Sequence, residues 1–421
     1  MAKETNIIYL YESQLQEIIS RDQDMTKGVA FEWKGERVFH IHTRFPEVAP
    51  SGYPGIAFFK IEKEQSAFAN AGKSFPRLSQ SFQPRENDSL AVIGVFLYLE
   101  EGCLRHNAWL RRENRVEACD VKFVPDKSEL YSRSKGLLEA GILEQKKVLI
   151  VGMGSFGSHI AVELAKAGLG HFSLVDFDRI ELSNISRHIC GVNELGRYKT
   201  LAVRDAILVK NPYAKITTWE MDINMERSQL QNLIRDADLV ICATDNNRSR
   251  FNINELAYNS NTTVIFGRAI TRAEGGDVFT LKGKSSPCYS CLVGGSEGFQ
   301  LGGEEEITTV RQADQVLPAY TSPEEKNAAI QVGLSSDILP ICNLMVKLAL
   351  VELSAGTAGG MAALQNELTY NYYFWANRRE QHYLNYQPFN QARMQPTILK
   401  WFGANIPADP NCLLCSNPAS R

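Results

Sequence analysis

Two groups of residues in this chain have types and spacing that could do chemistry. The first is Gly152-Met-Gly-Ser-Phe-Gly157, directly behind the apolar run Val148-Leu-Ile-Val151. Glycines permit a tight turn and close approach of backbone to phosphate, and a helix opening there presents free N–H groups and a positive dipole end. Asp176 follows 19 residues after Gly157, at the end of the next apolar run, where a carboxylate can accept from ribose hydroxyls. This pair specifies a nucleotide site and leaves open whether the nucleotide is NAD or ATP. The second group is Pro287-Cys-Tyr-Ser-Cys291 with Asn411-Cys-Leu-Leu-Cys415. Cys288, Cys291, Cys412 and Cys415 supply four thiolates, the closed donor set of structural Zn²⁺, with no position left for a substrate. Such a metal would pin the C-terminal tail back onto the nucleotide-binding half.

A longer block separates the two nucleotides. It runs Leu174-Val-Asp-Phe-Asp-Arg-Ile-Glu-Leu-Ser-Asn-Ile-Ser-Arg187, then Gly196-Arg-Tyr-Lys199, then Ala243-Thr-Asp-Asn246. In its order of glycine loop, Asp-x-Asp, Ser-Asn-x-x-Arg, lysine and Thr-Asp-Asn, the chain resembles the ubiquitin-activating-enzyme family. That family includes the bacterial adenylyltransferases of the molybdopterin-synthase and thiamine pathways. The match continues through Asn211-Pro212 and Gly267-Arg-Ala269 and covers roughly residues 128–355. The resemblance implies that Gly152, Gly154, Gly157 and Asp176 hold the nucleotide. It implies that Ser183, Asn184, Arg187 and Lys199 meet its phosphates and that Asp245 carries Mg²⁺. The chemistry agrees independently. Splitting ATP between its α- and β-phosphates requires charge stabilisation on both products, and Arg187 and Lys199 are suitable cations. Magnesium needs only one or two carboxylates besides substrate oxygens, which Asp245 satisfies. Nothing in the sequence marks a hydride-transfer site.

Further implications come from the same resemblance. Family dimers use a Tyr-x-Arg segment to place an arginine in the partner's ATP site; Tyr131-Ser-Arg133 matches it, which implies a homodimer with Arg133 catalytic. The family also carries two Cys-x-x-Cys pairs in these places, which again implies zinc. The acyl acceptor would be a small ubiquitin-like carrier protein ending in glycine, its tail lying under the polar stretch Gly294 to Ala328. Many relatives use a further cysteine for a thioester. Here none lies between Cys291 and Cys342, and Cys190 and Cys342 both read better as packing residues. A transfer step would then go directly to an outside thiol.

The elements that must position these residues fall into two regions, 1–126 and 127–421. The first shows short β-type runs, Arg37–His42, Gly55–Lys60 and Leu90–Leu99, separated by turn-rich segments, and is expected to be a small α+β domain. Its His40-Ile-His42 and Ser51 resemble, faintly, the zinc motif of JAMM-type deubiquitinases, although Pro54 stands where the aspartate belongs. A degenerate domain of that type, or a partner-docking module, fits the segment. From Lys147 onward strands alternate with helices around Ser158–Ala167, Leu201–Lys210 and Arg248–Tyr258. That alternation predicts α/β architecture: a Rossmann-like, doubly wound, mostly parallel sheet with ligands at the carboxyl ends of its strands.

Composition narrows the function classes. Of 421 residues, 44% are apolar and 22% charged, ordinary values for a globular protein. Lysine plus arginine total 45 against 48 aspartate plus glutamate, so no bulk charge favours nucleic acid or a membrane surface. Met1 to Glu12 lacks a signal-type apolar core and Ile338 to Val351 is too short to span a bilayer, which predicts a cytoplasmic protein. The expected reaction is ATP-dependent adenylation of a carrier's terminal carboxylate. The N-terminal extension leans toward a ubiquitin-like conjugation operon, with a conjugating-enzyme-like partner and in some cases a role in antiphage defence. A sulfur-carrier adenylyltransferase, a relative acting on a small molecule, and an inactive scaffold of the same fold stay open.

Overall fold

The computed structural model describes residues 5–20, 23–33, 36–44, 52–82, 90–113, 115–124, 127–269, 273, 275–294, 333–377 and 399–416. The chain divides into two compact units, Met1–Ser132 and Arg133–Arg421.

In the first unit the expected strands are present, and four more join them. Strands β1 (Asn6–Tyr11), β2 (Met25–Trp33), β3 (Val38–His42), β4 (Tyr53–Glu62), β5 (Val92–Glu100), β6 (Cys103–Arg112) and β7 (Arg115–Val124) form a closed barrel in the order β1-β3-β2-β4-β5-β6-β7. Closure is made by β7 lying parallel to β1, with Asn6 opposite Cys119. Phe39, Ile41, Ile93, Val95 and Leu97 build one core, to which helix α1 (Glu12–Ser20) adds Leu15 and Ile18. Helices α2 (Gln65–Ala69) and α3 (Ala71–Phe82) lie against the opposite face of β4–β6, where Phe58, Phe75 and Phe96 form a second core. The unbroken apolar run in β5 follows from this: six consecutive residues, Val92–Leu97, are buried because both faces are covered.

His40 and His42 are part of an aromatic stack. Tyr9 stacks on His40 with ring centroids 5.1 Å apart, and Tyr11 on His42 at 4.7 Å. His42 Nδ1 accepts from Gln14 Nε2 at 3.3 Å, and burial followed by the neighbouring His40 pushes its pKa down to about 4. Ser51 lies outside the described residues, and Pro54 pairs with Phe31 in β4.

A short helix α4 (Lys127–Leu130) falls at the end of the first unit, and the second opens with α5 (Ala140–Glu144). It then alternates β8 (Lys147–Val151), α6 (Ser155–Lys166), β9 (His171–Val175), α7 (Lys199–Lys210), β10 (Lys215–Trp219), α8 (Arg227–Asp236), β11 (Leu239–Cys242), α9 (Asn247–Ser260) and β12 (Thr263–Ala269). After β13 (Gly275–Lys282) come α10 (Tyr289–Gly294), α11 (Ser335–Ser354), α12 (Ala362–Glu367), β14 (Tyr372–Ala376) and β15 (Lys400–Ala404). The sheet order is β10-β9-β8-β11-β12-β13-β14-β15. The first five strands are parallel, and β13, β14 and β15 extend the sheet antiparallel. The parallel part was legible as strand–helix alternation; the antiparallel extension was not.

Side-chain alternation explains why both faces carry helices. Along β8, Val148 and Ile150 enter the core beneath α6, α7 and α11, while Leu149 and Val151 enter the core beneath α8 and α9. Truncating Ile150 to alanine is expected to cost about 2–5 kcal/mol, the usual range for a fully buried aliphatic side chain. The chain leaves β8 toward β9 and β10, then crosses back to β11. The reversal falls between the carboxyl ends of β8 and β11, the position at which doubly wound folds bind ligands.

Candidate nucleotide site

Backbone bonds stitch three loops together at that edge. Gly152 N donates to Val175 O at 2.8 Å, and Ala243 N donates to Val151 O at 2.9 Å. Gly152 has φ +91, and a Cβ there would meet the Ala243 carbonyl oxygen at 2.7 Å, so only glycine fits both the turn and the approach. At Gly157 the constraint is packing: a Cβ would lie 1.8 Å from Gly152 O, so α6 could not close onto the loop. Gly154 is the N-cap of α6, and a Cβ there would meet nothing within 4 Å, leaving open space before the helix N-terminus.

Asp176, at the end of β9, faces this loop. Its Oδ2 accepts from Met153 N at 2.7 Å and its Oδ1 from Asp178 N at 2.8 Å. Burial pushes its pKa up, opposed by Lys199 and these two N–H donors. Lys199 opens α7, and its Nζ lies 2.7 Å from Asp178 Oδ2. Asp178 belongs to the Asp-x-Asp pattern, yet sequence reasoning assigned it no role; the one signal was its spacing of two from Asp176.

The Ser-Asn-x-x-Arg segment folds as a 3-10 turn, Leu182–Asn184, running on to Arg187. Asn184 Oδ1 accepts from Glu181 N at 3.0 Å, and Ser183 is exposed beside it. The turn is anchored to α6 through the Arg187 carbonyl, which accepts from Ser155 Oγ at 3.0 Å and from His159 Nε2 at 3.2 Å. Next door, His188 Nε2 donates to Met153 O at 2.8 Å while its Nδ1 accepts from Cys190 N at 3.0 Å. That pairing requires the neutral Nε2–H tautomer, and burial is the main cause of the lowered His188 pKa. Ser155, His159 and His188 position the Leu182–Arg187 segment and the glycine loop, and were not legible in the sequence.

Asp245 follows β11 and is exposed at the same edge. Asn246 Nδ2 lies 3.3 Å from Asp245 Oδ1, and Asn246 Oδ1 caps α9 by accepting from Ser249 N at 2.9 Å. One exposed carboxylate beside a phosphate-type loop suits Mg²⁺, which keeps waters and substrate oxygens in its shell. Arg133 is exposed on the 3-10 turn Ser132–Ser134 and, among the described residues, makes no hydrogen bond or ion pair to these loops.

The four thiols meet although 124 residues separate the pairs. Cys288 Sγ lies 3.8 Å from Cys291 Sγ and 3.5 Å from Cys412 Sγ, and Cys291 Sγ lies 3.2 Å from Cys415 Sγ. All four sulfurs fall within 4.8 Å of one another. A tetrahedral zinc with bonds of about 2.3 Å needs sulfur separations of about 3.8 Å, so the donor set fits. Asp409 N donates to Cys291 Sγ at 3.4 Å. Among the described residues this is the one group of three or more such side chains able to hold a metal, so His40 and His42 gain no third ligand there.

Cys190 and Cys342 are buried, and burial pushes both thiols up to about 12. Neither is a ready nucleophile at neutral pH. The polar stretch 294–328 falls outside the described residues beyond Gly294.

A model of the ThiF family matches residues 135–412. The molybdopterin-synthase adenylyltransferase of Escherichia coli is 35% identical over 170 residues, covering 40% of this chain and 64% of that protein. The sulfur carrier protein adenylyltransferase of Thermus thermophilus is 32% identical over 155 residues, covering 36% of this chain and 56% of that protein. The chain thus spans less than two thirds of the length of the relatives it matches. Among solved structures, Escherichia coli MccB with AMPCPP and MccA gives a TM-score of 0.49 at 18% identity, covering 69% of this chain and 75% of that chain. The family match spans the strands and loops that build the nucleotide edge and reaches the second thiol pair; the chain belongs to the ThiF family.

Proposed function

We propose that the chain uses ATP to adenylate the C-terminal glycine carboxylate of a small ubiquitin-like protein, releasing pyrophosphate. The observation that carries this reading is the gathering of a glycine loop, Lys199 and Asp245 on adjoining loops of one sheet edge. The carboxylate is itself the nucleophile, so catalysis needs positioning and charge stabilisation and no general base. Arg187, whose backbone carbonyl is held by Ser155 and His159, supplies a positive charge. Lys199 supplies a second, held beside Asp178 until phosphate oxygens compete for it. Asp245 would hold Mg²⁺, which would supply positive charge against the phosphates. Cys288, Cys291, Cys412 and Cys415 would hold Zn²⁺ as a structural clasp.

A second reading, adenylation of a sulfur-carrier protein, is favoured by the similarity to the Escherichia coli molybdopterin-synthase adenylyltransferase and the Thermus thermophilus sulfur carrier protein adenylyltransferase. The ubiquitin-like reading is favoured by the barrel unit, which lies outside the family match and is assigned here to partner docking, including a conjugating-enzyme-like partner. A homodimer completed by Arg133 accords with the exposed apolar side chains Phe177, Leu182 and Val192 beside the site. No described helix is long and apolar enough to cross a membrane.

The test is ATP–pyrophosphate exchange with glycine-ended carriers of both kinds. Exchange that requires the carrier's last glycine supports adenylation, and the carrier that gives it decides between the two readings. Absence of exchange with every carrier, despite bound ATP, refutes both.

A further inference from the structure

Tyr289, one of the two residues between the first pair of thiols, is fully buried and is not among the four candidate metal ligands. Its hydroxyl donates to Asn247 Oδ1 at 3.3 Å. The direction follows from its other neighbour: Arg268 Nη1 lies 3.5 Å from the same hydroxyl, and a guanidinium can only donate. Arg268 is itself fixed by a two-pronged pair with the buried Asp277 carboxylate, which also accepts from Tyr372 Oη at 3.3 Å. The phenol proton is therefore directed toward Asn247. Asn247 Oδ1 also accepts from Arg250 Nη1 at 3.2 Å, and Arg250 Nη2 donates to Thr244 O at 2.6 Å. Thr244 and Asn247 flank Asp245 and Asn246 on the two sides.

The same helix is gripped further along. Tyr289 N donates to Asn254 Oδ1 at 2.8 Å, Asn254 Nδ2 to Ser290 Oγ at 3.2 Å, and Tyr258 Oη to Cys415 O at 3.5 Å. Residues 247, 254 and 258 share one face of α9, so this face is tied to residues of both thiol pairs.

We propose that Tyr289 is a positioning residue for magnesium: it carries the geometry of the four-thiol cluster through Asn247 and Arg250 to the Thr244–Asn247 turn that presents Asp245. The inference rests on the ATP reading above and adds to it a residue of the zinc clasp that sets the metal-bearing carboxylate.

Tyr289→Phe removes the hydroxyl and keeps the ring stacked on Phe266, 4.7 Å between centroids. The measurement is ATP binding by calorimetry on the full chain across a Mg²⁺ series, with zinc content and melting temperature recorded alongside. The expected result is a Mg²⁺ half-saturation raised about 5–10-fold, the scale of one buried hydrogen bond, with zinc content unchanged and ATP binding without Mg²⁺ altered less than about twofold. Asn247→Ala should give the same shift, and the double variant no more than either alone, because both break one path. Tyr258→Phe, which loses its bond at the far end of α9, should leave the Mg²⁺ midpoint in place. An unmoved midpoint in Tyr289→Phe, additive shifts in the double variant, or an equal shift in Tyr258→Phe would overturn the positioning role alone. Failure of the unaltered chain to bind ATP with Mg²⁺ would overturn the ATP reading and this role together.

Discussion

The Lys199 ammonium lies 2.7 Å from Asp178 Oδ2, while the Lys199 backbone N–H donates to the Asp178 carbonyl at 3.0 Å. Both ends of the lysine are thereby referred to one residue of the loop that leaves β9. The pair positions a buried cation at the start of α7.

Removing that cation should therefore act on catalysis far more than on folding. Lys199→Ala is expected to lower ATP–pyrophosphate exchange about 10²–10³-fold, the scale of one preorganised charge stabiliser. Asp178→Asn should cost less, about 10-fold on the same scale, since the backbone tether survives. Equal losses in the two variants would show that Asp178 itself meets the nucleotide.

Asp245 is exposed and, among the described residues, hydrogen-bonds the adjacent Asn246. Asp245→Ala is accordingly expected to abolish adenylate formation while moving the thermal midpoint by no more than about 1–2 °C, as for a surface change of about 0.5 kcal/mol or less. Undiminished exchange in this variant would refute the magnesium assignment.

The thiol cluster joins segments 124 residues apart, so its loss should free the tail. Cys288→Ser should release zinc, measured by elemental analysis, and lower the melting temperature by several degrees. Zinc binding is worth about 10 kcal/mol or more in small zinc modules. Full zinc retention in that variant would place the metal elsewhere.

Acid should weaken the nucleotide-bearing loops through His188. Burial lowers its pKa below the ordinary 6.5, so the folded chain binds fewer protons there than the unfolded chain. The stabilisation is complete above that ordinary value and is lost as pH falls from it toward the depressed folded value. Thermal melts between pH 7.5 and 5 should show falling midpoints, and His188→Gln should flatten that slope. A slope unchanged in the variant would assign the effect to other histidines such as His42 or His159, both also lowered chiefly by burial.

Cys190→Ala and Cys342→Ala should leave adenylation, and any transfer to an outside thiol, within about twofold of the unaltered chain. Both thiols are buried and raised to about 12. Loss of a carrier thioester in either variant, read on a non-reducing gel, would reinstate it as the acceptor.

What the amino-acid order determined by itself was local. Val148–Val151 announced a buried strand, and Gly152-Met-Gly-Ser-Phe-Gly157 behind it a tight turn into a helix. Each of these depends on a residue's own backbone freedom or on neighbours a few positions away. The rest required contacts between distant segments. Barrel closure sets Asn6 opposite Cys119, and β13 to β15 join the sheet by antiparallel pairing that no local period encodes. The Cys-x-x-Cys spacing identified the four ligands, but only folding brings Cys291 within 3.2 Å of Cys415. Tertiary burial likewise made Cys190 and Cys342 packing residues, set His40 and His42 in an aromatic stack, and gave Asp178 its lysine. Desolvation and ion pairing are properties of the surroundings a side chain ends in, and those surroundings exist only once the sheet has closed around it.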